Sequence, residues 1–279
     1  NEVYAYANEE QYATFAKVKL PYTILPHPGD MNGEVPEMSD YKDYDPKGTS
    51  TIDKYPTYEG FHELINKFQE SYPEICKVIE IGKSIQNRSI MVVRISDNIQ
   101  SEKREAEPNF FSNCTIHGDE TTGWVCWMRM IELLCKGYGK DTRITGLVDT
   151  LDIWVCLLSN PDGTYRGGNN SVYGATRGNS RGVDLNRSFP GPQGSDVSIQ
   201  PETKALIKID TTEKFVLGLD NHGGIESVLL PWGYSTNKVH EYLWWDYIAK
   251  LYGEKSGYSS QTASSMYTAR GSRIDWPYW

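Results

Sequence analysis

From Tyr55 onward, this sequence alternates short apolar runs with segments whose apolar residues recur every three or four positions. Short apolar runs are typical of buried strands, and the second spacing is typical of one face of a helix. Strands that alternate with helices favour an α/β fold with a mostly parallel, helix-covered sheet. The predicted strands are 78–81, 90–95, 110–116, 151–158 and 215–219, and the predicted helices are 61–68, 124–135, 201–209 and 239–252.

Residues 1–55 differ from the rest of the chain. We expect a short strand and a short helix within residues 1–19, followed by an irregular stretch rich in Pro, Gly and Asp. We interpret residues 1–55 as an N-terminal arm or linker and residues 56–279 as one large domain. Residues 164–198 are predicted to form a long loop, and such loops in a compact domain are usually functional.

The composition excludes several classes of protein. A net charge of −9 over 279 residues, with no basic stripe, argues against a nucleic-acid partner. No apolar run approaches the roughly 18 residues of a membrane-spanning helix, so we expect no membrane span. The five cysteines lie in apolar contexts, where buried free thiols are favoured over disulfides or metal ligands.

The segment His117-Gly118-Asp119-Glu120 follows the predicted strand 110–116 and precedes a predicted helix. Open α/β sheets hold their ligands at the carboxyl ends of strands. Imidazole nitrogen and carboxylate oxygen are both zinc ligands, so His117 and Glu120 could supply two ligands from one turn. By itself this spacing is a weak signal, because an ordinary surface turn is the usual reason for it.

A third ligand can be sought among the five histidines of the chain. A loop, surface or packing position is favoured for His27, His62 and His240. His222 differs, because it follows a predicted strand and precedes two glycines, and so it also lies at a strand end. Two imidazoles and one carboxylate would leave a fourth zinc position open for water, which is the form of a catalytic site.

The long loop adds groups that suit a carboxylate. Asn186 and Arg187 are adjacent, and a guanidinium beside an amide can bind a carboxylate through directional, bidentate hydrogen bonds. Arg177 lies six residues before Val183 in the same loop. Each would separately be typical of a solvated loop residue, but together they begin to define a reaction.

Five motifs, in this order along the chain, resemble those of the zinc metallocarboxypeptidases typified by carboxypeptidase A and carboxypeptidase T. The resemblance covers roughly residues 55–279. It implies a mixed, mostly parallel eight-stranded sheet sandwiched by helices, and we expect the last strand and helix to be missing from this chain. The motifs are His117-x-x-Glu120, Asn160-Pro161-Asp162-Gly163, Gly182-Val183-Asp184-Leu185-Asn186-Arg187-x-Phe189-Pro190, His222-Gly223-Gly224 and residues 267–276.

The resemblance implies a metal site and a catalytic residue. His117, Glu120 and His222 would bind one Zn²⁺ ion, which would activate a water for attack on the peptide carbonyl. Asp184 would accept a hydrogen bond from His117 and so fix its tautomer and ring orientation. Arg177 would polarise the scissile carbonyl and stabilise the tetrahedral oxyanion.

The resemblance also implies the substrate-binding residues. Asn186, Arg187 and Tyr267 would hold the terminal carboxylate of the substrate, which would make the protein an exopeptidase that removes C-terminal residues. Gly233 and Ile274 match the positions that form the side-chain pocket, and they suit an aliphatic or aromatic residue.

Two arginines leave a different specificity open. Arg270 and Arg273 depart from the small residues that are usual at these positions in the family. If either side chain turned into the pocket, peptides with an acidic C-terminal residue would be preferred.

The general base of the family is a glutamate about fourteen residues beyond the position of Asp275, whereas this sequence ends at Trp279. Loss of such a base lowers a rate by typically 10²- to 10⁴-fold. We expect a fragment of a longer active enzyme. One alternative is a zinc-containing peptide-carboxylate binder without activity, and another is an enzyme that releases diaminopimelate from cell-wall peptides.

The partners and the location follow from the same resemblance. It implies a peptide or protein C-terminus as the substrate, and we expect a monomer. Bacterial members of the family are mostly exported, and the sequence begins with Asn1 rather than Met, so we expect a secreted protein in an extracellular or periplasmic setting.

Overall fold

The computed structural model describes residues 7, 9–25, 35–101 and 106–278. Helix α1 (Glu9–Ala16) confirms the short helix predicted near the N-terminus. The short strand predicted around Val3 and Tyr6, and the loop that contains His27, lie outside the described residues.

The second half of the arm packs on the domain. Strand β1 (Met38–Ser39) pairs in parallel with β2 (Tyr55–Pro56). The rings of Tyr41 and Tyr44 are buried in the same core as the first helix of the domain. The Tyr41 hydroxyl also donates a hydrogen bond to the Lys54 carbonyl, so the arm forms a closed loop against the domain.

The central sheet has five strands in the order β3, β4, β6, β5, β7. These strands are β3 (Cys76–Lys83), β4 (Ser89–Ile95), β5 (Asn109–Cys114), β6 (Asp152–Cys156) and β7 (Leu217–Asn221). β4 runs antiparallel to both β3 and β6, whereas β5 runs parallel to both β6 and β7. The sheet is therefore mixed, and two of its four strand pairs are parallel, so the predicted excess of parallel pairs is not confirmed in the central sheet.

The reason for the antiparallel half is the connection between β3 and β4. Only residues 84–88 join the two strands, and a connection this short cannot return the chain for parallel pairing. Asn87 adopts a left-handed conformation in this turn, with φ of 63°.

Helices cover both faces of the central sheet. On one face, Phe61 and Trp124 belong to a core that the helices over residues 58–71, 122–137 and 142–148 share with the sheet. On the other face, Leu206, in the helix over residues 201–213, packs in a second core with Phe111 of β5. The helices are α2 (Tyr58–Ser71), α3 (Thr122–Gly137), α4 (Thr142–Val148), α5 (Pro161–Thr164), α6 (Pro201–Glu213) and α7 (Tyr242–Ser256). None of the helices in the described part of the chain is both long and apolar enough to cross a bilayer.

A smaller sheet lies beside α7. Strand β8 (Ser227–Leu230) pairs in parallel with β9 (Ser259–Thr262), and α7 contacts both strands. The mixed, helix-covered α/β class is confirmed, but the described strands form sheets of five, two and two strands rather than one sheet of eight. The difference arises because β8 pairs with β9 and not with β7.

The parallel strands of the central sheet bring three loops to one edge. β5, β6 and β7 are neighbours, so their carboxyl ends lie together. His117 follows β5, Asn160 follows β6 and His222 follows β7. The residues predicted to form the site therefore leave the sheet at a common edge.

Candidate metal centre and substrate site

The turn that follows β5 carries His117 and Glu120. The backbone N–H of Glu120 donates to the carbonyl of His117 over 3.1 Å. Gly118 lies so close to the backbone of Gly163 and Thr164 that a Cβ would collide with main-chain atoms. The Thr164 hydroxyl also donates to the Gly118 carbonyl over 2.8 Å. This close packing requires glycine, and it fixes the turn against helix α5, which follows β6.

Three side chains converge beyond this turn. His117 Nδ1 lies 2.9 Å from Glu120 Oε1, and His222 Nδ1 lies 2.8 Å from Glu120 Oε2. The two Nδ1 atoms are 3.1 Å apart. Among the described residues, this is the one group of at least three His, Cys, Asp or Glu side chains whose ligand atoms all lie within 4.8 Å of one another.

The donor set of this cluster fits a zinc ion. With zinc–ligand bonds near 2.0–2.1 Å, the ligand atoms of a tetrahedral site lie about 3.3 Å apart. The separations of 2.8 to 3.1 Å are slightly shorter, so a small opening of the three side chains would accommodate an ion. The structure thus brings the three predicted ligands together, and their binding of zinc stays a prediction.

Asp184 lies behind the cluster, with Oδ1 3.1 Å from His117 Nε2. Burial opposes a charged imidazole, but hydrogen bonds to Asp184 and Glu120 outweigh it and raise the pKa of His117. Burial also opposes the two carboxylates, but the neighbouring imidazoles hold the pKa of Glu120 and of Asp184 well below the usual range. An Asp184 carboxylate at Nε2 favours a proton there and leaves the Nδ1 lone pair for a metal.

Arg177 lies between the cluster and Asp184. Its Nε and Nη2 donate to Asp184 Oδ2 over 3.0 and 2.9 Å. Its Nη1 lies 3.1 Å from His117 Nδ1 and 3.5 Å from Glu120 Oε1. Asp184 therefore orients both an imidazole and a guanidinium, and the Nη1 nitrogen faces the cluster of His117 and Glu120.

Asn186 is held between two parts of the site. Its Oδ1 accepts hydrogen bonds from the Arg273 backbone N–H over 2.7 Å and from the Ser272 hydroxyl over 3.4 Å. Its Nδ2 lies 3.4 Å from His222 Nε2. If His222 bound a metal through Nδ1, its Nε2 would carry a proton, and the Asn186 amide could donate instead to an incoming carboxylate.

Arg187 and Tyr267 meet at the mouth of the site. The Arg187 guanidinium carbon lies 5.7 Å from the centroid of the Tyr267 ring, and Tyr267 is 57% exposed. Gly271 brings the loop that contains Tyr267 against the backbone of Arg187. Its φ of 64° and its close approach to the Arg187 carbonyl exclude a side chain. The three predicted carboxylate-binding residues are therefore adjacent, since Arg187 Nη1 also donates to the Asn186 carbonyl over 2.7 Å.

Gly233 and Ile274 lie together with a carboxylate that sequence reasoning left without a role. A Cβ on Gly233 would lie 3.2 Å from Ile274 Cγ2 and 3.2 Å from Asp275 Oδ2. The Gly233 and Tyr234 N–H groups donate to Asp275 over 2.7 and 3.2 Å. Burial raises the pKa of Asp275 to about 6, against the lowering effect of these two hydrogen bonds. Spacing along the sequence carried no signal for this contact.

Arg273 does not extend toward Gly233. Its guanidinium forms an ion pair with Asp210 of α6, and its Nε lies 3.4 Å from Asp220 Oδ1 at the end of β7. The Trp276 indole N–H donates to Asp210 as well. Arg270 is exposed. The alternative in which Arg273 binds an acidic substrate side chain is not supported, because two aspartates already neutralise its charge.

Comparisons with known proteins agree with this arrangement. A family profile described as zinc carboxypeptidase matches residues 61–279. Human carboxypeptidase D is 36% identical over 182 residues, which make up 63% of this chain and 13% of that protein. Mouse carboxypeptidase M is 34% identical over 173 residues, which make up 61% of this chain and 39% of that protein. This chain thus spans well under half the length of either relative.

Solved structures share the fold at lower identity. Thrombin activatable fibrinolysis inhibitor superposes with a TM-score of 0.70 at 19% identity, over 86% of this chain and 67% of that one. Carboxypeptidase A from Helicoverpa armigera superposes with a TM-score of 0.69 at 21% identity, over 83% and 64% respectively. At these identities the likeness is evidence of a common fold.

Proposed function

This chain belongs to the zinc carboxypeptidase family, and from that membership we propose that it removes the C-terminal residue of peptides. The observation that carries the proposal is the convergence of His117, Glu120 and His222 within 4.8 Å, beside the guanidinium of Arg177. One Zn²⁺ ion is the proposed cofactor.

The residues around the metal have distinct proposed roles. When bound, zinc supplies a Lewis acid that polarises the scissile carbonyl and lowers the pKa of a coordinated water. Asp184 keeps the proton of His117 on Nε2. Arg177 Nη1 donates to the carbonyl oxygen as that oxygen gains negative charge, a contact worth about 2.7–4 kcal/mol at comparable sites. Because Asp184 holds the other two guanidinium nitrogens, Arg177 is oriented before substrate binds.

Recognition of a free carboxylate is the proposed basis of exopeptidase action. The Asn186 amide and the Arg187 guanidinium supply donors at a fixed separation from the metal ligands. Tyr267 is exposed and lies over Arg187, where it can cover a bound carboxylate. An amidated peptide lacks the second oxygen and the charge that these donors require, so it should bind and react poorly.

We propose an apolar side-chain pocket at Gly233 and Ile274. Gly233 has no side chain, and Ile274 Cγ2, which lies close to it, provides an aliphatic surface. The charge of Arg273 is directed to Asp210, away from the pocket. Peptides that end in Phe or Leu should therefore be cleaved faster than peptides that end in Glu, and the opposite order would refute this pocket.

Turnover also needs a proton acceptor. Glu120 and Asp184 are committed to the two imidazoles and to Arg177, and Asp220 interacts with Asn113 and Arg273. We propose that the acceptor is the glutamate that the family resemblance places about fourteen residues beyond Asp275. The described residues would then bind the metal and the substrate carboxylate, and that glutamate would complete the catalytic set.

The decisive experiment measures zinc content and peptide hydrolysis on the same samples. A protein of residues 1–279 and the chain extended to the end of its coding sequence are each assayed before and after treatment with a chelator, with paired peptides that have a free or an amidated C-terminus. We expect about one zinc per chain in both proteins. We expect hydrolysis of the free-carboxylate peptide by the extended chain alone, and its loss on metal removal.

The other outcomes discriminate among the alternatives. Hydrolysis that survives complete removal of metal contradicts the proposal. Zinc-dependent binding of the free peptide by the extended chain, with no turnover, identifies a peptide-carboxylate binder instead. A third substrate, a cell-wall peptide that ends in diaminopimelate, tests the remaining alternative, which requires that substrate to be preferred over ordinary peptides.

The same membership supports proposals about organisation and setting. We propose that residues 56–279 belong to the catalytic domain, that residues 1–55 form an N-terminal arm, and that the protein is a monomer. We also propose an extracellular or periplasmic location. Sedimentation analysis of the purified protein, and fractionation of the cells that make it, test these points.

A further inference from the structure

The motif Asn160-Pro161-Asp162-Gly163 begins the short helix α5, shortly after β6. Asn160 is the N-cap residue, and its Oδ1 accepts a hydrogen bond from the Gly163 N–H over 3.0 Å. Asn160 is completely buried, at 0% exposed. Its amide nitrogen has two further N–H groups, and in the interior of a protein both require acceptors.

The two N–H groups of the Asn160 amide bind carbonyls from two different segments. Nδ2 donates to the carbonyl of Ile116 over 3.3 Å and to the carbonyl of Arg177 over 3.2 Å. The Gly118 N–H donates to the same Arg177 carbonyl over 3.3 Å. These partners fix the orientation of the amide, because a flipped amide would place its oxygen against two carbonyl oxygens. Asn160 therefore joins the segment that carries His117 to the backbone of Arg177.

The placement of Arg177 depends on contacts of this kind. Residues 165–184, all of which the structure describes, contain no helix or strand. A Cβ on Gly163 would collide with the carbonyl oxygens of Thr176 and Gly178, so α5 and this loop pack backbone against backbone. The Thr176 N–H also donates to the Gly163 carbonyl over 2.9 Å. The residues on both sides of Arg177 are thus held against α5.

Helix α5 is itself anchored to the central sheet. The buried Asp162 carboxylate pairs with Arg88 Nη1 over 3.0 Å and accepts from the Ser84 hydroxyl over 2.7 Å. Ser84 and Arg88 belong to the turn that joins β3 and β4. Asp162 therefore fixes α5, and the Asn160 amide extends from that fixed support to Arg177.

We propose that Asn160 is a positioning residue for the reaction. Its amide sets the backbone of Arg177 relative to the metal-ligand turn, and with it the 3.1 Å distance between Arg177 Nη1 and His117 Nδ1. This role rests on the proposed function, in which Arg177 donates to the carbonyl oxygen as that oxygen gains negative charge. Asp184 orients the guanidinium at the end of the side chain, whereas Asn160 holds the backbone from which that side chain extends.

Two substitutions keep the helix cap and remove the bridge. Aspartate and serine are both good N-cap residues, so Asn160→Asp and Asn160→Ser can still accept from the Gly163 N–H. Neither residue has the amide nitrogen that binds the two carbonyls. The matched control is Asn109→Asp, because the Asn109 amide donates to the Glu213 carbonyl over 2.7 Å at the other end of β5.

The test uses the zinc-loaded protein expressed from its complete coding sequence. For a peptide with a free C-terminus, we expect kcat to fall by about 10- to 100-fold in both Asn160 variants, with KM and zinc content close to those of the wild type. In an Arg177→Met background the guanidinium is already absent, so the same substitutions should change kcat by less than about twofold. Exchange of the Gly118 amide hydrogen, followed by NMR, should accelerate by about 5-fold or more in both variants and stay unchanged in Asn109→Asp.

The other outcomes count against this role of Asn160. A kcat at the wild-type level in both variants overturns it, and so does loss of zinc from them. A fall in kcat of equal size in the wild-type and Arg177→Met backgrounds also overturns it, because the effect would then not pass through Arg177. If Asn160→Asp does not fold, Asn160→Ser decides.

Failure of the proposed function has a different signature. If the wild type hydrolyses no peptide, the proposed function fails, and the exchange of the Gly118 amide hydrogen then decides about Asn160. Accelerated exchange in the Asn160 variants supports the bridge to Arg177, and unchanged exchange overturns it.

Discussion

Carboxylates in two regions of this molecule have opposite acid–base behaviour. At the candidate metal centre, Glu120 and Asp184 lie beside imidazoles and a guanidinium, and their pKa values are held below the usual range. Near Ile274, Asp275 accepts hydrogen bonds from backbone N–H groups, and burial raises its pKa to about 6. Burial acts in the same direction in both regions, so the charge of the neighbours decides the outcome. The first region is suited to retain negative charge around a cation. In the second region, Asp275 binds a proton, and so loses its charge, at a higher pH than an ordinary aspartate does.

One loop connects the two regions. The Arg273 backbone N–H and the Ser272 hydroxyl donate to Asn186, which lies near His222. Asp275, in the same loop, accepts from the N–H of Gly233. Substitutions that affect one region and spare the other therefore test whether the difference between them matters for function.

The largest effect is expected from His222→Ala. Removal of one of three proposed ligands should lower the zinc content from about one ion per chain to near zero in the presence of a chelator. Peptide hydrolysis should fall by about 10⁴-fold or more. The matched control is His240→Ala, because the His240 side chain is 92% exposed. Retention of zinc by His222→Ala, or its loss from the control, would place the metal elsewhere.

The second effect is on stability, and it concerns the loop that joins the two regions. Arg273→Met leaves Asp210 and Asp220 without their buried cation, and loss of one partner of a buried ion pair typically costs about 3–5 kcal/mol. Burial already raises the pKa of Asp210, and Arg273 opposes that rise. The variant should therefore recover part of its stability at lower pH, where Asp210 binds a proton. Urea unfolding at pH 5 and pH 7 measures both effects.

The exposed Arg270→Met is the control for that experiment, and its unfolding free energy should match the wild type. Equal stability of Arg273→Met and the wild type at pH 7 would show that the buried pair contributes nothing net. The double substitution of Arg273 and Asp210 separates the pair interaction from the cost of an unpaired aspartate.

Arg273 makes a contact that could not be predicted from the sequence. Arg273 stood out because it replaces a small residue in a recognised motif, but its partner Asp210 lies 63 residues earlier, on α6. Nothing local to residues 267–276 indicated that contact. Strand β9 was missed for a related reason, since Ser259–Thr262 contains no apolar residue and becomes a strand through its pairing with β8.

The correctly predicted elements carry local signals. Helices α2 and α3 have buried residues at helical spacing, and β4 and β6 are apolar runs, so periodicity alone was sufficient for them. The convergence of His117 and His222 could also be anticipated, because both follow strands of one sheet. The order of the strands and the identity of Asp275 as a partner of Gly233 depend on distant pairing, which periodicity does not contain.

The third prediction uses the pH dependence of the region around Asp275. The folded-state pKa of about 6 lies above the ordinary 3.8, so the folded protein binds this proton more tightly than the unfolded chain does. The resulting stabilisation is fully present below about pH 4 and is lost as the pH rises through about 6, with a total of about 3 kcal/mol. Asp275→Asn should remove this component.

Unfolding free energies of the metal-free wild type and Asp275→Asn from pH 4 to pH 7.5 give the measurement. The difference between the two curves isolates Asp275 from the other titrating groups. We expect the wild type to lose stability relative to the variant as the pH rises. Curves that stay parallel would show that Asp275 is ionised in the folded protein throughout this range.

The smallest expected effect is that of Asp184→Asn on metal affinity. An asparagine oxygen can still accept from His117 Nε2, but the carboxylate charge that favours the metal-binding tautomer is lost. The amide nitrogen would also face the Arg177 nitrogens that now donate to Asp184 Oδ2, so Arg177 should reorient. Loss of such a carboxylate typically lowers metal affinity by about 10- to 100-fold. Competition with a zinc-binding dye measures it, and Asp275→Asn, which changes the other carboxylate region, should leave the affinity unchanged. Equal weakening of zinc binding by Asp184→Asn and Asp275→Asn would contradict this prediction. It would show that the carboxylate near Ile274 influences the metal as strongly as Asp184 does, so the two regions would not have separate functions.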